Sequence, residues 1–553
     1  MPTLDWIGKE KVINHHNDVP YRVLERQYSF DEQGMHKEDN HSKNMIIHGD
    51  NLEALKSLLP KYEGRIKCIY IDPPYNTRKS SEKNKAWIYS DNVDDPKIKK
   101  WFGQVVGDEG EDMSRHDKWL CMMYPRLMLL NKLLADKGII FISIDDNECS
   151  YLRIICDEIF GKNNFISQLI WKSDGNFDNQ AKVKNVHEYI LCYIKNPDRV
   201  GLPNAIDPSS TEKSKIFNDE IRNTVVKNGP KNPMSKITLP IGFPCSEDRL
   251  EICARKDKFP YYYSNAKVEK GRLINEVEVE SGWASKNILL DFINNGFQSV
   301  KDTKGQDTIF EITSTGAIEM VKKRDKASHV LSVLSNLGST QNMSNELAKM
   351  NIKFDFPKPV DLISYLIGFY CEKDDVVLDS FAGSGTTAHA VLKKHGDANF
   401  ILIEMNDYAR TLTAQRVEKV ICGFGKEKDY VEGTGGNFSF YELGEPLFLS
   451  DGTINPKVDI SEIRKYVWYM ETRGEAMTDK KDEPYYLGEN NEIAYYFYYE
   501  KDRVANLDYD FLSLIQVKQQ GYIIYADACS IAESDLQKWN ITFKKIPRDI
   551  NKL

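Results

Sequence analysis

The sequence predicts an α/β protein built on a mostly parallel, helix-covered sheet that is interrupted by an insert. Three observations predict it. Residues 45–71 read strand, helix, strand. Residues 374–421 repeat that rhythm around a glycine-containing turn. The stretch between them loses the rhythm over 173–330 and is rich in Asn, Lys, Gly and short strand-like pieces.

Taken in order, residues 1–44 are polar and rich in charge and His, and read as an extended or loosely packed arm. Met45-Ile-Ile-His-Gly-Asp50 is a short apolar strand ending in an acid. Leu52, Leu55, Leu58 and Leu59 then recur at helical spacing, with Asn51 placed to cap the helix and Pro60 and Gly64 to stop it. Ile66–Ile71 is the next strand, and two strands joined by one helix imply a parallel βαβ unit. The stretch from Asn76 to about Asp112 is long, charged and poor in aliphatics, a length more often functional than filler. A helix over Trp119–Leu134, a continuous apolar strand over Gly138–Ile144, a helix over Tyr151–Phe160 and strands at Phe165–Lys172 and Tyr189–Ile194 follow. An unbroken apolar strand such as 138–144 suits a sheet covered on both faces. The α/β rhythm resumes at Phe354 with a helix through Leu362, Leu366 and Tyr370. The strand Asp374–Asp379, the turn 380–387, a helix from Ala388, the strand Asn399–Glu404 and a helix over Tyr408–Ile421 complete it. The implied domains are an arm (1–44), two catalytic halves (45–172 and 346–425), an insert (173–345) and a C-terminal α+β module (426–553).

Composition narrows the function classes. Hydrophobic residues at 41% exclude wholesale disorder. The mean hydropathy is −0.51, and no apolar run approaches the roughly 18–20 residues of a membrane span. The N-terminus lacks the profile of a secretion signal, so a cytoplasmic chain with no membrane attachment is expected. The ten cysteines form no Cys-x-x-Cys pair and no Cys/His cluster with zinc spacing, so reduced thiols and no metal site are expected. The net charge of −9 argues against a phosphate-binding surface only on average. Residues 173–330 sum to +2, whereas 426–553 sum to −7.

Two constellations carry chemistry. Asp379-Ser-Phe-Ala-Gly-Ser-Gly-Thr-Thr387 lies between a strand and a helix, where glycines let the backbone turn sharply against a ligand. It lacks the Gly-Lys-Ser/Thr ending of a phosphate loop, and about 20 residues on, the next strand ends in Glu404, placed to accept from ribose hydroxyls. Asp72-Pro73-Pro74-Tyr75 closes another strand. An acid, a carbonyl freed by proline and an aromatic face suit a planar amine such as a nucleobase amino group.

Asp-Pro-Pro-Tyr followed far downstream by Phe-Ala-Gly-Ser-Gly-Thr-Thr resembles the amino-methyltransferases of DNA, with the amine site first, as in their β group. Ile140-Phe-Ile-Ser-Ile-Asp-Asp-Asn-Glu148, Leu169-Ile-Trp-Lys172 and Phe356-Pro-Lys-Pro359 resemble segments of type III modification (Mod) subunits and related adenine methyltransferases. The resemblance covers roughly 45–172 and 350–425. It implies a class I S-adenosylmethionine-dependent, Rossmann-like sheet, circularly permuted to begin at Met45–Asp50, with the insert as target-recognition domain. It implies transfer of a methyl group from S-adenosylmethionine to the N6 amine of an adenine flipped out of double-stranded DNA.

By resemblance Asp72, Pro73, Pro74 and Tyr75 are catalytic. Asp379, Phe381, Ala382, Gly383, Ser384, Gly385, Thr386, Thr387, Glu404 and Asn406 take the cofactor, and Phe356, Lys358 and Pro359 close its methionine side. Asp50 stands either at the cofactor's adenine or as a helix cap. Asn76, Thr77, Arg78 and Lys79 either meet substrate or form a solvated loop. Lys322-Lys-Arg-Asp-Lys326 either meets phosphate or is a solvated face. A homodimer and a separate restriction subunit are implied partners. N4-cytosine methylation, a DNA-binding specificity subunit without turnover, and methylation of RNA or of a protein amide are the alternatives.

Overall fold

The computed structural model describes residues 3–77, 114–173, 183–211, 214–324, 327–473, 483, 485–547 and 550. They form two compact units, Met1–Ser209 with Val330–Leu553, and Ser210–His329. Among the described residues, no helix is long and apolar enough to cross a membrane.

The first unit is organised on an eleven-stranded mixed sheet. Its strands are β1 (Arg22–Asp31), β2 (Gly34–His36), β3 (Met45–His48), β4 (Ile66–Ile71), β5 (Leu134–Ile144), β6 (Phe165–Lys172), β7 (His187–Ile194), β8 (Val333–Leu334), β9 (Val376–Asp379), β10 (Asn399–Glu404) and β11 (Asn437–Pro446). Their order across the sheet is β8-β6-β7-β5-β4-β9-β10-β3-β11-β1-β2. From β5 through β11 the strands run parallel, while β7 is antiparallel to both neighbours and β1 to β11. The β-strand period of two sorts side chains between the faces. Ile69, Ile71, Ile140 and Ile142 join one apolar cluster with the helices Asn51–Tyr62 and Arg115–Leu133. Cys68, Tyr70, Ile139 and Phe141 join the other with the helices Val360–Ile367, Thr386–Lys394 and Gln415–Cys422. That two-sided burial explains why β5 reads as a continuous apolar run.

The predicted strands and helices are all present, with shifted ends. Asp50, rather than Asn51, caps the first large helix, its carboxylate accepting from Leu52 N at 2.8 Å. Pro60 lies inside that helix, in its last turn, and does not stop it. The helix at 149 passes into a wider turn over Asp157–Gly161.

Three domain expectations need correction. Residues 1–44 are not a loose arm: β1 pairs along its length with β11, and Trp6, Val12, Val19, Tyr21, Tyr28 and Phe30 are buried. Polar residues through the first half of 22–31 and two irregularities in its pairing leave no clean alternation to read. The insert is narrower than 173–345, because β7, β8 and the helix Thr340–Lys349 belong to the first unit. The C-terminal module begins after β11, which is a strand of the large sheet. It then supplies the helix Ile460–Thr472 and a four-stranded sheet from Tyr486 to Lys545 within the same unit.

The second unit contains two three-stranded sheets, one four-stranded sheet and the helix Lys286–Asn294. Phe243, Tyr262, Phe292, Phe310 and Ile312 fill its core. Its basic cluster is partly spent internally: Lys322 pairs with Asp302, and Arg324 Nε donates to Asn218 O at 3.0 Å. Residues 325 and 326 lie outside the described residues.

The stacking of Tyr28 on Phe440 (centroids 5.2 Å apart, planes 10° apart) sits in the core that welds β1 to the sheet. Tyr28→Ala should therefore cost about 3–5 kcal/mol of unfolding free energy. Denaturant titration would show it; a change below about 0.5 kcal/mol is what a loose arm would give.

Candidate active site

The strand order reverses direction between β4 and β9, which pair in parallel through Val377 with Cys68 and Leu378 with Ile69. Loops that leave the carboxyl ends of these two strands diverge, and a crevice opens there. The crevice is a cavity of about 390 Å³ walled by both constellations: Asp72, Pro73, Tyr75 and Thr77 on one side, and Asp379, Phe381, Ala382, Gly383, Ser384, Thr386 and Thr387 on the other. Phe354, Phe356 and Lys358 form a third wall.

On the amine side, the Lys358 ammonium, 9% exposed, lies 3.0 and 2.9 Å from the two oxygens of Asp72. It also stands 3.2 Å from Glu188 Oε2 and 3.0 Å from the Tyr75 hydroxyl. That hydroxyl lies 2.8 Å from Asp72 Oδ1 and 3.0 Å from Glu188 Oε2, so its single proton serves either carboxylate. Burial works against the Lys358 charge, but Asp72 and Glu188 outweigh it and hold the ammonium above its ordinary range. Burial, with Asp72 and Glu188 beside it, holds the Tyr75 phenol in its neutral form. The two proline carbonyls differ. Trp119 Nε1 donates to Pro74 O at 2.6 Å and fixes the turn, whereas Pro73 lies on the cavity wall.

On the other side, Gly383 (φ 50°) and Gly385 (φ 80°) occupy the left-handed region that favours glycine, and Gly385 N closes the turn on Ala382 O at 2.7 Å. Asp379 accepts from Phe381 N at 3.0 Å and from Thr387 Oγ1 at 2.5 Å. Burial nevertheless raises its carboxyl to about 7. Glu404 accepts from Gly383 N at 2.8 Å and from Asn406 N and Nδ2 at 2.9 and 2.8 Å; burial raises its carboxyl too. It thus holds the glycine turn from behind, off the wall of the 390 Å³ cavity. Asn406 borders a second hollow of about 410 Å³ with Lys353 and Tyr408.

Several predicted residues sit elsewhere than expected. Asp50 is a cap, held 3.4 Å from Arg126 Nη2, and is not on the cavity wall. Pro359 starts the helix Val360–Ile367, and Phe356, at φ 54°, is 67% exposed at the cavity edge. Asn76 is 2% exposed and points away from the cavity: its amide donates to Glu148 Oε1 at 2.5 Å and to Arg115 O at 3.1 Å. Thr77 Oγ1 is buried with no hydrogen-bond partner among the described residues, on the cavity wall. Arg78 and Lys79 lie outside the described residues.

Four residues escaped the sequence reading: Glu188, Trp119, Glu148 and Arg416. Arg416, fully buried, donates to Ser384 Oγ at 2.7 Å and Thr386 Oγ1 at 2.8 Å and staples the glycine turn. A lone Arg among Leu412, Val417, Val420 and Ile421 was the available signal.

The cavity's fit to a cofactor can be read from its donors and acceptors. Asp72, Glu188, Asp355 and Asp379 line it together with one ammonium, Lys358, among the described residues, so it favours a cationic ligand. Asp379 gives a stability test. Its folded-state value of about 7 stands above the unfolded 3.8, so the folded chain holds the proton more tightly, and stability falls as pH rises from about 4 to about 7. Asp379→Asn lacks this loss. Between pH 4.5 and 7.5 the variant should therefore gain on the order of 2–4 kcal/mol relative to the unsubstituted chain, measured by denaturant unfolding.

The DNA methylase family model matches residues 66–415. The chain is 33% identical over 438 residues to the type III restriction-modification enzyme EcoPI Mod subunit of Escherichia phage P1, a match spanning 73% of this chain and 64% of that one. It is 29% identical over 442 residues to the EcoP15I Mod subunit of Escherichia coli, with the same two shares. To the type II methyltransferase M.KpnI of Klebsiella pneumoniae it is 30% identical over 385 residues, 66% of this chain and 82% of that one. The matched stretch runs from the strand that ends at Asp72 to beyond the glycine turn and Glu404, and on that ground the chain belongs to the DNA methylase family.

Proposed function

We propose that this chain methylates the exocyclic N6 amine of adenine in double-stranded DNA, with S-adenosylmethionine as donor. One observation carries the reading. The strand-end acid Asp72 with its Pro73–Tyr75 turn and the glycine turn after Asp379, far apart in sequence, wall a single cavity.

An exocyclic adenine amine is a weak nucleophile, because its lone pair is delocalised into the ring. S-adenosylmethionine, when bound, supplies a methyl group made electrophilic by a sulfonium. The glycine turn, Phe381, Ser384 and Thr386 are the residues that would hold it, with Asp379 on the same wall and Phe354 and Phe356 covering it. Asp72 and the Pro73 carbonyl accept the two amine N–H bonds and turn the nitrogen lone pair toward the electrophile. As the N–C bond forms the amine becomes acidic, and Asp72 accepts its proton. Tyr75 offers its ring face to a base that has left the duplex stack.

Asp at position 72 and the likeness to Mod subunits support adenine over cytosine. The unit Ser210–His329 is the proposed target-recognition element, its Lys, Arg and Asn side chains suited to base edges. Two copies of the chain and a separate restriction subunit are the proposed partners, in the cytoplasm.

Asp72→Ala should lower methyl transfer more than about 1,000-fold while the dissociation constant for S-adenosylmethionine stays within about 3-fold. Tritiated methyl transfer and calorimetry would measure the two. Near-normal transfer by the variant would refute the mechanism, and N4-methylcytosine in the digested product would move the substrate to cytosine.

A further inference from the structure

Glu188 lies outside both constellations, on β7, yet it reaches the same ammonium and the same phenol as Asp72. The arrangement poses a problem for the reading above, on which this inference rests. The amine needs acceptor capacity on Asp72, but Lys358 contacts both Asp72 oxygens and Tyr75 shares Oδ1. An ammonium fixed there would also oppose the positive charge that builds on nitrogen as it is alkylated. Lys358 is too buried to move into water without leaving a charge unpaired. Glu188 Oε2 offers a second anion 3.2 Å from the ammonium and 3.0 Å from the Tyr75 hydroxyl, so each donor keeps a carboxylate within reach when it gives up Asp72.

We propose that Glu188 is a positioning residue that receives Lys358 and the Tyr75 proton when the target amine enters, which frees Asp72 to accept the amine. Without Glu188, Asp72 is the one carboxylate left to pair with Lys358 among the described residues, and the ammonium competes with the substrate for it. Glu188 thus acts through Lys358, and its removal should matter only while Lys358 is charged.

A double-substitution cycle on the full chain tests this, with single-turnover tritiated methyl transfer, calorimetric binding of S-adenosylmethionine and thermal unfolding read in parallel. Glu188→Gln should lower the transfer rate about 30-fold, with the DNA KM and the cofactor dissociation constant within about 3-fold and the melting temperature kept. Glu188→Asp, which keeps the charge, should recover to within about 5-fold of the unsubstituted rate. In a Lys358→Met background, Glu188→Gln should cost less than about 3-fold further. An unchanged rate in Glu188→Gln, a loss lodged in KM or cofactor binding, an unfolded variant, or equal losses in both backgrounds would each overturn the proposal. If the unsubstituted chain itself transfers no methyl group to DNA, the methyltransferase reading falls, and this proposal with it.

Discussion

Everything at the carboxyl edge of the sheet answers to one constraint: buried carboxylates are gathered at and behind a crevice whose described lining holds one ammonium, that of Lys358. Asp72, Glu188, Asp379 and Glu404 all converge near the ends of β4, β7, β9 and β10. Isolated burial of that many anions would be prohibitive. Each is accommodated differently. Asp72 and Glu188 share Lys358 and Tyr75. Glu404 is held by backbone and amide N–H groups. Asp379 takes the remaining route: despite two donors, burial raises its carboxyl to about 7, so it is protonated in part of the population at neutral pH. The cavity is thereby suited to a cation without the full cost of unpaired buried charge.

The sheet topology makes that gathering possible. β4 and β9 are neighbours because the chain, after placing β1 and β2 at one edge, lays down β3, continues through β4 and β5, and returns after the insert to fill β9 and β10 between β4 and β3. Parallel strands in register bring all their carboxyl ends to one side, so two turns far apart in sequence face each other across the crevice. Trp119, by fixing Pro74 O, and Arg416, by clasping Ser384 and Thr386, hold the two turns from outside the cavity.

Much of this was legible in the residues. Continuous apolar runs such as 139–144 report two-sided burial, and turn chemistry marks strand ends, so β3, β4, β5, β9 and β10 and the loops that follow them could be placed. What was hidden has a common cause: it depends on pairing across long separations. β1 is a strand because β11 lies beside it, and its polar first half and irregular pairing leave no clean alternation to read. Glu188 looks like an ordinary polar residue at the start of an apolar strand until Lys358 is brought against it. Asn76 follows the Asp-Pro-Pro-Tyr turn directly, yet its positive φ (58°) swings the side chain to Glu148 instead of the cavity. Asp50 is spent on the helix it caps.

The position of Lys358 also bears on how resemblance should be carried over. Its segment, Phe356-Pro-Lys-Pro359, was expected to close over the methionine end of the cofactor, and Phe356 and Lys358 do line the cavity. Yet the lysine's polar contacts are all with the amine side: two carboxylates and a phenol. A single segment therefore borders both ligands, its aromatic ring at the cavity edge and its ammonium on the acid that would receive the amine. Placed there, Lys358 would couple the two halves of the site electrostatically: a bound sulfonium would disfavour the ammonium on its side of the cavity, and Glu188 already stands 3.2 Å from it. Loading the donor would then itself help to uncover Asp72, the cation that lets the two carboxylates coexist yielding as each ligand arrives.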